Sequence, residues 1–227
     1  MSKIHFPFLR GKKHTFGELR TFEAALLKIR QEDPVFSGDL RSNKLPWAKA
    51  RNEELLPIVL LADHKGFANS EKFELMSAGH PTDVTVYTGG RARPYQITVA
   101  DPAWDLSGSG NSGGYLHHLR MERLRLGAPA FGGANTKKEN GIIVSEPYAR
   151  SVQDDIDACR RPLIEAIKRK QAHDGSGCTL LIFARGYRFL LIDVNVAELV
   201  TDAVCQARAN SFERVCVVDA KFFWESE

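Results

Sequence analysis

The spacing of apolar residues predicts two helices in the first quarter of the chain. Apolar side chains recur every three or four positions over residues 15–32, the period of a helix that is buried along one face. Thr15 and Glu18 stand at its start in the arrangement of a capping box. A second helical pattern covers residues 46–63, where a kink is expected at Pro57 because proline has no backbone N–H to donate.

An alternating pattern replaces the helical one after these two segments. Apolar and polar residues alternate over residues 72–76, 83–87 and 94–100, which predicts three short strands. The pair Gly89-Gly90 separates the last two strands and is typical of a tight hairpin turn. The three strands are therefore predicted to form an antiparallel meander.

The middle of the chain is rich in residues that interrupt regular structure. Residues 105–114 contain four glycines and no large apolar side chain after Leu106, and further glycines and prolines recur over residues 127–150. A short basic helix is expected between them, over residues 115–126. Residues 103–150 are accordingly predicted to be an insertion or lid within the domain.

The last third of the chain alternates between helical and strand patterns. A long amphipathic helix begins at a capping box of Ser151 and Asp154, and it ends in basic residues before Gly175. The segments predicted after it are, in order, a strand, a strand, a helix and a strand: 179–184, 188–193, 196–209 and 214–219. The whole chain, residues 1–227, is thus predicted to be a single α/β domain with a mixed central sheet flanked by helices.

Composition narrows the class of protein. The chain has 43% hydrophobic and 26% charged residues, which are ordinary values for a globular protein. Its net charge of +3 permits contact with a polyanion without requiring it. No apolar run is long enough to cross a bilayer, and the amino terminus lacks the continuous apolar core of a signal peptide. The four cysteines lie in apolar stretches without a C-x-x-C pair, so buried reduced thiols and a cytoplasmic location are expected.

Two short motifs in the predicted meander carry candidate chemistry. His80-Pro81-Thr82-Asp83 opens the second strand, and Gln96-Ile97-Thr98 lies in the third. Together with the order of elements, they resemble the PD-(D/E)xK nuclease superfamily, which has the restriction-endonuclease-like fold. In that family an Asp opens one strand, and an acidic residue or Gln followed two positions later by Lys lies in the next. The resemblance covers residues 46–100 and 151–219, with the middle of the chain as an insertion.

This resemblance implies a Mg²⁺ site and a set of catalytic residues. Asp83 and Gln96 match the metal-binding positions, and Glu54, preferred over Glu53, matches an acid on the preceding helix. In such a site the bound Mg²⁺ neutralises charge on a phosphate and lowers the pKa of an attacking water. Alternation along the strand places Gln96 and Thr98 on one face, where they are expected to converge on Asp83.

Thr98 is where the pattern departs from the family, because the family has Lys at that position. The cation that would orient the water is therefore missing from the strand. Either a nearby Lys72, Arg91 or Arg93 supplies it, or the site is inactive.

Two functions follow as expectations from these residues. The first is a nuclease-like domain that hydrolyses DNA with Mg²⁺; the alternative is a non-catalytic protein of the same fold that binds nucleic acid or a protein partner through residues 105–150. The residues expected to contact phosphates are Arg93, Arg120, Arg123 and Arg125. No Walker loop and no G-x-S-x-G motif is present in the sequence.

Overall fold

The structure is a computed structural model that describes residues 5–41, 43–101, 137–139, 142–144, 152–171, 177–185, 195–208 and 211–226. Its helices are α1 (Phe16–Glu32), α2 (Pro34–Arg41), α3 (Ala48–Ala50), a π-helical turn (Arg51–Leu55), α4 (Leu56–Lys65), α5 (Val152–Gln171) and α6 (Val196–Ala207). Its strands are β1 (Lys13–Thr15), β2 (Lys72–Leu75), β3 (Val84–Thr88), β4 (Arg91–Val99), β5 (Lys137–Glu139), β6 (Ile142–Val144), β7 (Thr179–Phe183), β8 (Arg214–Asp219) and β9 (Phe222–Glu225).

One mixed sheet of seven strands forms the centre of the fold, in the order β1-β2-β3-β4-β7-β8-β9. Neighbouring strands from β1 to β4 are antiparallel. β4, β7 and β8 are parallel to one another, and β9 returns antiparallel to β8. The predicted α/β class with a mixed sheet flanked by helices is confirmed.

The meander β2-β3-β4 forms where the alternating pattern predicts it. Its last turn is made by Gly89 and Gly90, whose φ angles are 55° and 76°. Both residues need a positive φ, which glycine adopts without steric cost and which suits the twist of a hairpin. The register pairs Thr88 with Arg91 next to the turn and Val84 with Tyr95 at the far end.

Two layers of helices cover the two faces of the sheet. The first layer consists of α1, the π-helical turn and α4, and it buries an apolar cluster that includes Tyr95 and Ile97 of β4. The second layer consists of α5 and α6, and its cluster includes Leu180 and Ile182 of β7. Because side chains alternate along a strand, Gln96 and Thr98 of β4 face the second layer.

The first layer shows how local sequence sets the helix ends. The capping box at the start of α1 is confirmed, with the Thr15 side chain accepting from the Glu18 N–H and the Glu18 carboxylate accepting from the Thr15 N–H. The predicted kink of the second helix takes the form of the π-helical turn, and Pro57 lies in the first turn of α4 directly after it. Gly66, with a φ of 68°, ends that helix.

Several elements differ from the sequence-based prediction. α1 ends at Glu32, close to the predicted end of the first helix, but α2, which begins at Pro34, was not predicted; proline is well tolerated in the first turn of a helix. The edge strands β1 and β9 were not predicted. Within the predicted loop-rich segment 127–150, β5 and β6 form a hairpin. The predicted strand 188–193 and most of the insertion 103–150 lie outside the described residues.

The environments of the four cysteines agree in part with the expectation of buried thiols. None of the four is in a disulfide, and Cys159, Cys178 and Cys216 are buried. The prediction is wrong for Cys205, which is exposed because it lies on the outer side of α6. In the described part of the chain, none of the helices is long and apolar enough to span a membrane.

These environments predict a large difference in thiol reactivity. Burial raises the pKa of Cys216 to about 12, and Cys159 and Cys178 are also shielded from solvent. We expect one thiol to react rapidly with a disulfide reagent at pH 8 in the native protein, and four in denaturant. A Cys205→Ser variant should lose the rapid reaction, whereas rapid labelling of two or more thiols in the native protein would contradict the burial described here.

Candidate functional site

Asp83 is fixed at the point where the chain enters β3. Its backbone N–H donates to the Tyr95 carbonyl at 2.9 Å, and its Oδ2 accepts from the Ile97 N–H at 2.6 Å. The carboxylate thus accepts a hydrogen bond from the backbone of β4, just beyond the last pair of residues in the ladder, Val84 and Tyr95. A hydrogen bond from a backbone N–H to a charged oxygen is a strong one, so the side chain is held in one orientation.

Lys170 provides a cation beside this carboxylate. Its Nζ lies 3.1 Å from the Asp83 Oδ2, and both side chains are partly buried, at 21% and 34% exposure. Lys170 stands in the last turn of α5, on the same side as Leu163 and Ile167, which pack into the second-layer cluster. The apolar stripe that docks the helix therefore also carries Lys170 to the sheet.

Gln96 is the cross-strand neighbour of Asp83 and is almost fully buried, at 2% exposure. Its Nε2 donates to the Pro81 carbonyl at 2.9 Å. The loop before Asp83 is further ordered by the His80 ring, whose Nδ1 lies 3.2 Å from the Thr82 N–H. Gln96 consequently anchors the segment that presents Asp83.

Thr98 is two residues further along β4 and is also buried, at 5% exposure. Its Oγ1 accepts a hydrogen bond from the Arg169 Nη2 at 2.9 Å. Arg169 precedes Lys170 in α5, so two consecutive cations of one helix contact two positions of the sheet. The position at which the resembled family has Lys is here an acceptor for an arginine.

These five residues form what we call the polar cluster: Asp83, Gln96, Thr98, Arg169 and Lys170. Gln96 and Thr98 lie in the second half of β4, level with Leu180 and Ile182 of the parallel strand β7. Just beyond the ends of β4 and β7, Asp101 and Arg185 form an ion pair at 2.8 Å. The structure therefore brings three of the predicted site residues together with two cations.

Glu54, the fourth predicted catalytic residue, approaches from the other layer. It lies in the π-helical turn, and its Oε1 pairs with the Arg10 Nη2 at 2.7 Å. The Arg10 Nη1 donates to the Met76 carbonyl at 2.6 Å, and the Met76 N–H donates to the Asp83 carbonyl at 3.0 Å. Glu54 is thus linked to the strand edge that carries Asp83. Its Oε2 is buried and has no hydrogen-bond partner among the described residues.

The three cations that were considered as substitutes for the missing Lys do not lie beside Asp83. Lys72 pairs with Tyr87, and Arg91 pairs with Thr88, so both lie at the hairpin end of the meander. Arg93 lies opposite Val86 and faces the first layer of helices. None of the three is next to Asp83, so this expectation is wrong, and Lys170 has the position instead.

Two other ionisable groups near β4 are unsuited to acid–base chemistry at neutral pH. Burial raises the pKa of Tyr95 to about 12, and it also raises the pKa of Cys216 to about 12. Both side chains belong to the first-layer cluster, on the face of the sheet away from the polar cluster. They remain protonated and serve the packing of that layer.

Three of the arginines that were predicted to contact phosphates lie outside the described residues, as does the helix expected to carry them: Arg120, Arg123 and Arg125. Within the part of the chain that the structure describes, no group of three or more His, Cys, Asp or Glu side chains is arranged to hold a metal ion.

No family model, curated protein or solved structure matches this chain.

The contact between Lys170 and Asp83 predicts a measurable coupling. Ion pairs at exposed sites are worth roughly 0.2–1 kcal/mol, and the partial burial of this one puts it at the upper end of that range. We expect Lys170→Met to lower the free energy of unfolding in urea by about 1 kcal/mol, and to have a smaller effect when Asp83→Asn is already present. Lys168→Met is the control, since Lys168 is exposed at the same helix end. Equal effects of Lys170→Met in both backgrounds would show that the pair is not formed in solution.

Proposed function

We propose that this chain is a Mg²⁺-dependent phosphodiesterase of the PD-(D/E)xK type that acts on DNA. The observation that carries the proposal is the contact between Lys170 and Asp83 beside Gln96. The strand motif has Thr98 where the resembled family has Lys. Lys170, from helix α5, lies within hydrogen-bond distance of Asp83.

The order of elements supports the proposal. A meander with Asp83 at the start of its second strand and Gln96 in its third is followed by α5, the parallel strand β7, α6 and the parallel strand β8. This succession is the basis on which residues 46–100 and 151–219 resemble the nuclease superfamily. Residues far apart in the chain, rather than one short motif, thus agree with the same assignment.

Lys170 has the chemistry that the missing strand lysine would supply. An ammonium group has three N–H donors, and among the described residues only Asp83 accepts one. The other donors are available to a non-bridging phosphate oxygen or to an attacking water. The bond to Asp83 fixes the direction of the ammonium group, so little ordering is required when a substrate binds.

Asp83 offers one carboxylate oxygen to a Mg²⁺ whose other ligands would be water and substrate. The Asp83 Oδ1 accepts no hydrogen bond from the described residues, while Oδ2 is used by Ile97 and Lys170. Mg²⁺ commonly keeps several waters and binds through one or two carboxylates together with substrate phosphates. Asp83 would hold it together with water and substrate oxygens, whereas Glu54 is paired with Arg10 in the first layer. When bound, Mg²⁺ would neutralise phosphate charge and acidify a coordinated water.

A second function is favoured by one specific observation. Asp83 is the single carboxylate of the polar cluster, and Lys170 already neutralises it. A site that only binds nucleic acid requires cations but no second carboxylate. The alternative is therefore a non-catalytic protein that binds the phosphate backbone. In that case, Asp83 would serve to position Lys170.

Plasmid cleavage separates the two functions. We expect the wild-type protein to nick supercoiled plasmid or single-stranded DNA with Mg²⁺ and not with EDTA. Asp83→Asn and Lys170→Met should each lower the rate by roughly 10²-fold or more, because removal of a positioned acid–base or electrostatic group typically costs that much. Lys168→Met should cleave at the wild-type rate.

Two results would count against the catalytic proposal. One is DNA binding without cleavage by the wild-type protein under any divalent metal tested, which would favour the non-catalytic function. The other is unchanged cleavage by Asp83→Asn, which would place the reaction at another site. Far-ultraviolet circular dichroism and thermal melting should accompany each variant, so that a loss of activity is not a loss of folding.

A further inference from the structure

Arg169 differs from the other arginines of α5 in its partners. Arg160 lies 3.4 Å from the Asp157 carboxylate, and Arg161 lies 2.9 Å from that of Glu165. Among the described residues, no carboxylate forms an ion pair with Arg169, whose recorded partner is the neutral hydroxyl of Thr98. The charge of this guanidinium is therefore not compensated within the described structure.

The remaining donors of Arg169 suit an anion with several oxygens. A guanidinium carries five N–H groups in a planar fork that matches phosphate in a bidentate manner. One of them bonds Thr98, which is buried and so fixes where the group lies. The residue itself is exposed, so the other donors are accessible from solvent.

The charges of the polar cluster favour an anionic ligand. Asp83 and Lys170 neutralise each other, and Arg169 adds one positive charge. The two cations contact different places on the sheet: Lys170 meets Asp83, opposite Gln96, whereas Arg169 meets Thr98, two residues along β4. Diagonal neighbours of this kind on adjacent strands are roughly 7–8 Å apart. The two contact points therefore leave room for two anionic groups, one at each cation.

We infer that Arg169 binds a second phosphate of a nucleic-acid strand, next to the phosphate held at Asp83 and Lys170, and that Thr98 positions it. This inference rests on the proposed function in assuming a phosphodiester ligand at the polar cluster. It specifies that ligand as a chain of at least two phosphates rather than a mononucleotide. It also gives Thr98 a role as the acceptor that orients the guanidinium.

The test is the salt dependence of DNA binding, measured without cleavage. A short fluorescein-labelled duplex and its single strand are titrated with protein in EDTA at a series of NaCl concentrations, and affinity is read from fluorescence anisotropy. Loss of one phosphate contact lowers the slope of log affinity against log salt by about 0.9 for a duplex and about 0.7 for a single strand. We expect this loss in Arg169→Gln, whose amide can still donate to Thr98.

Three further variants identify the cause of the change. Arg169→Lys keeps the charge and should keep the wild-type slope. Arg161→Ala removes an exposed arginine of the same helix and should also leave the slope unchanged. Thr98→Val should weaken binding in the wild-type background but have no further effect when Arg169→Gln is present, because its role acts through Arg169. A merely structural hydrogen bond would shift the melting temperature without changing the slope.

The outcomes separate this inference from the proposed function. If the wild type binds DNA and Arg169→Gln has the wild-type slope, the inference is overturned, whether or not the protein cleaves DNA. If the slope falls as expected and no cleavage is seen, the inference holds and the catalytic proposal fails. If the wild type binds neither duplex nor single strand, the inference is overturned, and plasmid cleavage with Mg²⁺ decides the catalytic proposal separately.

Discussion

One carboxylate oxygen of Asp83 joins three parts of the fold that are far apart in the chain. It accepts from the Ile97 backbone, 14 residues away, and from Lys170, 87 residues away. A partly buried carboxylate is stabilised by such partners, and the pair with Lys170 is worth about 1 kcal/mol. The end of α5 must therefore lie over the start of β3 and the end of β4. Gln96, Thr98 and Arg169 lie around this contact.

Apolar packing determines where such a cluster can form. α5 docks on the sheet through Leu163 and Ile167, whose neighbours are Leu180 and Ile182 of β7. β4 lies at the border of this apolar cluster, and there the same face of the strand carries Gln96 and Thr98. The helix thus continues from apolar contacts into polar ones in its last turn. The long amphipathic helix provides the rigidity that a site on a loop would lack.

The sequence predicted the elements whose signals are local. The capping box of α1, the Gly89-Gly90 turn and the strand Arg214–Asp219 depend on neighbouring residues, and each is found where it was expected. β1 and β9 were missed because their residues do not alternate between apolar and polar, so pairing with the neighbouring strand is what orders them. Alternation placed Gln96 and Thr98 on one face. It gave no indication of Lys170, because the contact with Asp83 depends on how the crossover from β4 to β7 places α5.

A signal for Lys170 was nevertheless present in the sequence. Lys170 continues the stripe of Leu163 and Ile167 by one helical turn, although one interpretation of basic residues at a helix end is a solvated patch favoured by the helix dipole. That interpretation accounts for Lys168 but not for Arg169 and Lys170. Two like charges side by side repel each other, and Asp83 compensates only one of them. The positive charge that remains at Arg169 would be compensated by the phosphate that we infer to bind there.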